Sequence, residues 1–178
     1  MMSLVNTNLD FLNVSSGDIK VEKEQTDLVS IVNQIVEINN PLAKAKNQKI
    51  ISNYTNSECN IISDTNKIYQ ALNNIIGNAI KFSPFGKTIW IDINIDIIAD
   101  KIIVSIADEG PGFKKDEVDN VFVKFGKHSS TPTGNEISTG LGLLITKQIL
   151  NLLNAEISLE SEEGKGAKFI IEFPRNLY

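Results

Sequence analysis

Asn74 and Asn78 stand four residues apart, with Lys81 three further on. On a helix that spacing brings the three side chains to nearly one face. Amide oxygens beside an ammonium group suit a magnesium ion and phosphate: Mg2+ keeps several waters and takes one or two protein oxygens when phosphates supply the rest. A solvated polar face is the plainer reading of an asparagine pair. The surrounding Ile75, Ile76, Ala79 and Ile80 leave little room for it. Further on, Asp108-Glu109-Gly110-Pro111-Gly112 places a carboxylate before two closely spaced glycines. Such a turn former can also accept from an exocyclic amine such as that of adenine, because the glycines open space for a flat ligand beside it. Gly140-Leu141-Gly142-Leu143 opens a helix, where successive amides and the helix dipole favour an anion. Taken alone it reads as a flexible loop before an ordinary helix. Gly164 and Gly166 alone read as a hairpin turn, and Phe122 and Phe125 as core.

The elements that must position these residues are legible from periodicity. A helix is predicted from about Asp27 to Asn40, capped by Thr26 or Asp27, with Leu28, Ile31, Val32, Ile35 and Ile38 inward. Short strands are expected near Lys49–Tyr54 and Asn60–Ser63. Asp64 caps a helix over Thr65–Phe82 that buries Ile68, Leu72, Ile75, Ile76 and Ala79 and carries the asparagines. Thr88–Ile97 alternates: Ile89, Ile91, Ile93, Ile95 and Ile97 take one face. A turn at Ala99-Asp100 leads into a strand at Lys101–Ala107 that delivers Asp108. A last helix starts near Leu141 with Leu144, Ile145, Ile149 and Leu152 inward, followed by strands Glu156–Ser161 and Ala167–Phe173. The fold expected is an α/β sandwich: a mixed, largely antiparallel sheet with helices packed on one face. Gly126–Gly140, rich in Ser, Thr, Gly and Pro, is read as a mobile loop.

The 178 residues suffice for one domain with a short appendage. A net charge of −5 argues against nucleic acid as a partner, since phosphate-backbone contacts need a basic face. One bound nucleotide can still be met locally by a metal, a lysine and backbone amides. The single cysteine, Cys59, excludes an internal disulfide and fits a reducing compartment. The apolar runs are too short for a bilayer span, and no signal peptide opens the chain.

Taken in order, these segments resemble the ATP-binding catalytic domain of sensor histidine kinases, within the wider Bergerat-type fold of gyrase, heat-shock chaperone and mismatch-repair ATPases. Asn74–Pro84 looks like the N box, Asp108–Gly112 the first glycine box and Phe122–Phe125 the F box. Ser138–Leu143 looks like the second glycine box and Gly164–Gly166 the third. The likeness runs from about Asp27 to Pro174. It implies that ATP or ADP binds with Mg2+, which Asn78 coordinates, while Asn74 supports the triphosphate or the metal shell and Lys81 contacts phosphate. Asp108 is implied to accept from the adenine amine, with Gly110 and Gly112 shaping the pocket. Gly126–Thr139 would be the ATP lid, from which Lys127 or His128 reaches the γ-phosphate. Gly140, Leu141 and Gly142 would present amides to the phosphates, and Phe125 and Ala167 join the nucleotide-binding set. Asn74, Lys81 and Lys127 are the residues implied to act on the transferring group.

The same resemblance implies a cytoplasmic, monomeric domain, 21–178, with 1–20 as the remnant of a preceding dimerisation helix and linker. Val5, Leu9 and Leu12 at helical spacing carry that remnant. Its expected partners are the dimerisation domain that bears the acceptor histidine and a receiver domain downstream. The one histidine, His128, lies in the lid and reads as solvated, so the acceptor is expected outside this chain. Where hydrolysing relatives carry a glutamate base, Asn74 cannot take a proton, so slow hydrolysis is expected; a positioned base is worth roughly 10²–10⁴ in rate. Ser138 and Ala167 depart from the family pattern. The competing readings are a serine kinase of the anti-sigma-factor type, a pyruvate-dehydrogenase-kinase relative, or a nucleotide sensor that transfers nothing.

Overall fold

The computed structural model describes residues 20–56, 58–123, 132–133 and 141–175. Seven strands lie at Glu24–Asp27 (β1), Lys49–Tyr54 (β2), Asn60–Ser63 (β3), Thr88–Asp96 (β4), Lys101–Asp108 (β5), Glu156–Ser161 (β6) and Ala167–Pro174 (β7). Among the described residues helices lie at Leu28–Ala45 (α1), Thr65–Phe82 (α2), Lys115–Val118 (α3) and Gly142–Leu152 (α4). Five strands form one sheet in the order β2-β4-β5-β7-β6, while β1 and β3 pair in a separate antiparallel ladder. Every pairing in the large sheet is antiparallel except β2 with β4, which is parallel. This is the largely antiparallel α/β sandwich expected, with the crossover from β2 through β3 and α2 to β4 accounting for the parallel edge.

The alternation in β4 decides which side is covered. Ile89, Ile91 and Ile93 are fully buried, as are Ile102, Val104 and Ile106 on β5 and Ile171 on β7. Against this face pack α1, α2 and α4, with Ile68, Leu72, Ile75 and Ile76 of α2 at the centre. On the other face Trp90, Asp92 and Lys168 are only partly covered.

Three expectations about helix faces and ends are corrected. The first helix does not stop at Asn40 but runs through Pro41 to Ala45, because Pro41 is exposed while Ala43 beyond it is buried. Its inward face follows Leu28, Val32, Ile35, Asn39 and Ala43, leaving Ile38 56% exposed. On α4, Leu150 rather than Leu152 faces the core, and Leu144 is only half-buried. The strand β4 ends one residue early: Asp96 accepts from the amides of Ile98 and Ala99, turning the chain and leaving Ile97 exposed. The short ladder of β1 and the single turn α3 were not expected. The N-terminal remnant assigned to 1–20 falls almost wholly outside the described residues.

Asp64 sets where α2 begins. Its carboxylate accepts from the amides of Lys67 and Glu22 at 3.0 Å and from the Lys67 ammonium at 3.0 Å. Burial raises its proton affinity, but these donors outweigh it and hold the carboxyl below its ordinary range. The stability this provides is present above the unfolded-state pKa near 4 and is lost as pH falls through the lower folded value. Asp64→Ala is expected to cost about 1–2 kcal/mol at pH 7, as N-cap losses do. Urea denaturation checks this, and an unchanged midpoint would remove Asp64 as the helix stop.

Candidate nucleotide site

One end of the site is built on the last residue of β5. Asp108 pairs with Ile89 and Ala167 across the sheet, so three strands fix its backbone. Its Oδ1 accepts from the Gly110 amide at 2.7 Å. Burial pushes the carboxyl up to about 6, against the opposing pull of the Gly110 and Ala167 amides. Glycines surround it for steric reasons. A Cβ on Gly110 would stand 2.8 Å from Asp108 Oδ1 and 3.2 Å from the Phe82 carbonyl oxygen. Gly112 and Gly166 have φ of +66° and +86°. A Cβ on Gly166 would run into the Asp108 carbonyl oxygen, and one on Gly112 into that of Glu162. Ser161 ties these turns together, accepting from the Phe113 amide at 2.9 Å and donating to the Gly166 carbonyl at 2.6 Å. Glu109 braces the start of β4 through the Thr88 amide at 2.8 Å and Lys87 at 3.1 Å.

The other end lies along α2. Asn74 and Asn78 emerge on one side, both partly exposed, while Ile75, Ile76 and Ala79 face the core. Asn74 is already engaged: its Nδ2 donates to Thr146 Oγ1 of α4 at 2.8 Å. A Cβ on Gly142 would approach Asn74 Oδ1 to 2.6 Å, so the start of α4 is pressed directly onto this amide. Asn78 has no side-chain hydrogen bond among the described residues. Lys81 Nζ lies 5.5 Å from the Phe82 ring centroid. Leu141 is the N-cap of α4, and its own side chain makes no cap hydrogen bond; a helix start of this kind suits an anion. The two ends are joined by α2 itself. From Asn74 against Gly142 to the Phe82 carbonyl beside Gly110 is about 12 Å along the helix, at 1.5 Å per residue.

The C-terminal carbonyls of α2 are held by residues that sequence reading did not single out. Lys46, 7% exposed, donates to the carbonyls of Ile80 at 2.8 Å and Lys81 at 3.0 Å. Gln48 Nε2 reaches Ile80, Ser83 and Pro84 at 2.8–3.2 Å. The Thr133 hydroxyl lies 3.0 Å from the Lys81 carbonyl and 2.8 Å from that of Ser83. Neither periodicity nor motif spacing signals such contacts, because they join segments far apart in the chain. Thr146 did leave a trace: it is a polar residue at a core position of an otherwise apolar helix face.

Thus the structure brings together Asn74 with Gly142, and Asp108 with Gly110, Gly166 and Ala167, while Gly112 stands against Glu162 and Gly166. Phe125, Lys127, His128 and Gly140 lie outside the described residues, as does Ser138. Phe122 is half-buried, edge-to-face with Phe169 at 6.4 Å and under Lys147 at 5.1 Å. Among the described residues no cluster of three or more His, Cys, Asp or Glu side chains could hold a metal.

A partly buried acid at a strand end, a glycine cradle around it and a helix start pressed against an asparagine-bearing helix define a nucleotide-binding domain. The family described as histidine kinase-, DNA gyrase B- and HSP90-like ATPase matches residues 63–177, and this chain belongs to it. The sensor histidine kinase WalK of Bacillus subtilis is 30% identical over 174 residues, 98% of this chain and 28% of that protein. The autoinducer 2 sensor kinase/phosphatase LuxQ of Vibrio parahaemolyticus is 26% identical over 178 residues, 98% of this chain and 21% of that protein. The chain therefore spans between a fifth and a third of these relatives. Full-length ShkA, solved in complex with AMPPNP, superposes with a TM-score of 0.83 at 27% identity, over 97% of this chain and 35% of that one. The nucleotide-free catalytic domain of ThkA shares the fold, with a TM-score of 0.76 at 24% identity over 87% of this chain and 97% of that one. Among the described residues no helix is long and apolar enough to cross a membrane.

The raised pKa of Asp108 has a measurable consequence. Its folded value near 6 exceeds the unfolded one of 3.8. The nucleotide-free protein therefore loses stability as pH rises from about 4 through 6, where burying the ionised form begins to cost. Asp108→Asn is expected to make the nucleotide-free protein more stable above pH 7 by about 1–3 kcal/mol, with the difference closing below pH 4. Urea titrations of both proteins across that range check it. A variant less stable at every pH would overturn the assignment of the cost to Asp108.

Proposed function

We propose that this chain is the ATP-binding catalytic domain of a two-component protein-histidine kinase, holding Mg-ATP so that the γ-phosphoryl group passes to a histidine on a separate dimerisation domain. The observation that carries the reading is the pairing of the Asp108 cradle, at the C-terminal end of α2, with the Asn74–Gly142 contact midway along it. Asp108 accepts from the adenine amine. Gly110, Gly112 and Gly166 keep the pocket wall thin, and Ala167 supports the carboxylate through its amide. Leu141 and Gly142, with Gly140 before them, turn amides towards the phosphates.

Asn78 supplies the oxygen for Mg2+, and Lys81 adds a positive charge at the phosphates. The metal, when bound, neutralises the phosphate charge and orients the terminal group. Phosphoryl transfer needs mainly such positioning and electrostatic stabilisation. The contact with the γ-phosphate is assigned, from the family resemblance, to Lys127 or His128, both outside the described residues. Phe125 joins the F box that bounds the lid. With Asn74 in place of a carboxylate, and its amide engaged by Thr146, no side chain at that position can deprotonate water. The phosphate is kept for the histidine. A receiver domain then takes it onward, an assembly for which the complex of ThkA with the response regulator TrrA offers a precedent in the shared fold.

The direct test mixes the domain with the matching dimerisation domain and radiolabelled ATP. Acid-labile, alkali-stable phosphate on histidine is expected, alongside steady-state hydrolysis too slow to compete. Rapid hydrolysis by the isolated chain, or nucleotide binding with no transfer, would overturn the reading, and the latter would favour a nucleotide sensor. Asp108→Asn should weaken ATP binding by about tenfold or more, the worth of a charge-assisted hydrogen bond, as calorimetry would show. Asn78→Ala should abolish the Mg2+ dependence of binding. Lys81→Ala should weaken ATP more than adenosine.

A further inference from the structure

We infer that Thr146 is a positioning residue for the phosphate end of the site, acting through Asn74. The inference rests on the reading that the start of α4 holds the phosphates. Thr146 is 1% exposed and is the polar member of the buried set of α4, beside Ile145, Ile149 and Leu150. A threonine hydroxyl at such a depth needs a partner, and it has one in Asn74 Nδ2 at 2.8 Å. Gly142 stands one helical turn before Thr146, and its missing Cβ leaves the space that the Asn74 amide fills.

The amide therefore lies along the first turn of α4, its nitrogen fixed by Thr146 and its oxygen beside Gly142. Packing alone does not hold it there. A groove of about 280 Å³ opens between the two helices, lined by Tyr69, Gln70, Asn73, Ile145 and Ile149 as well as by Asn74 and Thr146. With room on that side, an amide released from Thr146 can turn about its own bond. The Thr146 hydroxyl removes that freedom and so sets the distance from Asn78 on α2 to the amides of Leu141 and Gly142. Adenine recognition at Asp108, at the end of β5 beside the Phe82 end of α2, does not pass through this contact.

ATP and adenosine affinities, by calorimetry and NMR titration in the presence of Mg2+, provide the test on the intact chain. Thr146→Val keeps the shape and removes the hydroxyl. It is expected to weaken ATP about tenfold, about the worth of the one hydrogen bond that orients the Asn74 amide, and to leave adenosine affinity near that of the wild type. Thr146→Ser should restore ATP affinity. In an Asn74→Ala background, Thr146→Val should cause no additional loss, because its effect runs through that amide. If the valine variant does not fold, Thr146→Ala and Thr146→Ser replace it in the same comparison. Unchanged ATP affinity, a parallel loss of adenosine binding, or losses that simply add in the double variant would overturn the role. A wild-type chain that binds no ATP would remove the underlying reading itself, a result separable from failure of the variants alone.

Discussion

Everything at the site is referred to one helix. The isoleucine-rich face of α2 is buried against the sheet, and that burial forces Asn74, Asn78 and Lys81 to the opposite side. The helix cannot rotate to change this without exposing several fully buried side chains, each worth about 1.5–3 kcal/mol. Nor can it slide. Asp64 stops its N-terminus, and Lys46, Gln48 and Thr133 satisfy the carbonyls at its C-terminus. Those carbonyls would otherwise be orphaned, as at any helix end. A rod pinned at both ends and on one face is a suitable reference for a ligand that must be gripped at two distant points.

The grip at one of those points is held at a cost. Asp108 is a carboxyl in a place where its ionised form is poorly solvated, which is why its pKa rises to about 6. Two backbone amides soften the cost without cancelling it. An acid left under-satisfied by its own protein is a strong acceptor for a donor brought by a ligand. The glycines at 110, 112 and 166 serve the same end, since each keeps a Cβ from space already taken by backbone or by the carboxylate. Stability and recognition are thus in opposition at a single residue.

How much of this was legible in the sequence depended on the kind of contact. Period-two alternation located β4 and β5, and asparagine spacing placed the polar face of α2. The glycine clusters marked both ends of the site. Where reading failed, a distant segment had decided the outcome. The first helix was expected to end near Asn40, yet α1 runs through Pro41 to Ala45 and buries Ala43. Ile38 and Leu152 matched the helical period but lie exposed, because Asn39 and Leu150 meet the neighbouring elements instead. The parallel pairing of β2 with β4 and the side ladder of β1 with β3 leave no mark in a local pattern.

The sequence by itself determined the kinds of group at the site and their order along the chain: amides and a lysine on a helix, an acid before glycines, glycines before a second helix. Residue type and local spacing dictate these, because backbone freedom and side-chain chemistry are properties of single residues and short segments. Only the tertiary structure decided that Asn74 turns to Thr146 across 72 residues, that Gly166 closes on the Asp108 carbonyl, and that burial raises the Asp108 pKa. Those outcomes depend on which atoms exclude water from which others. That is settled when the helices and sheet pack, and not before.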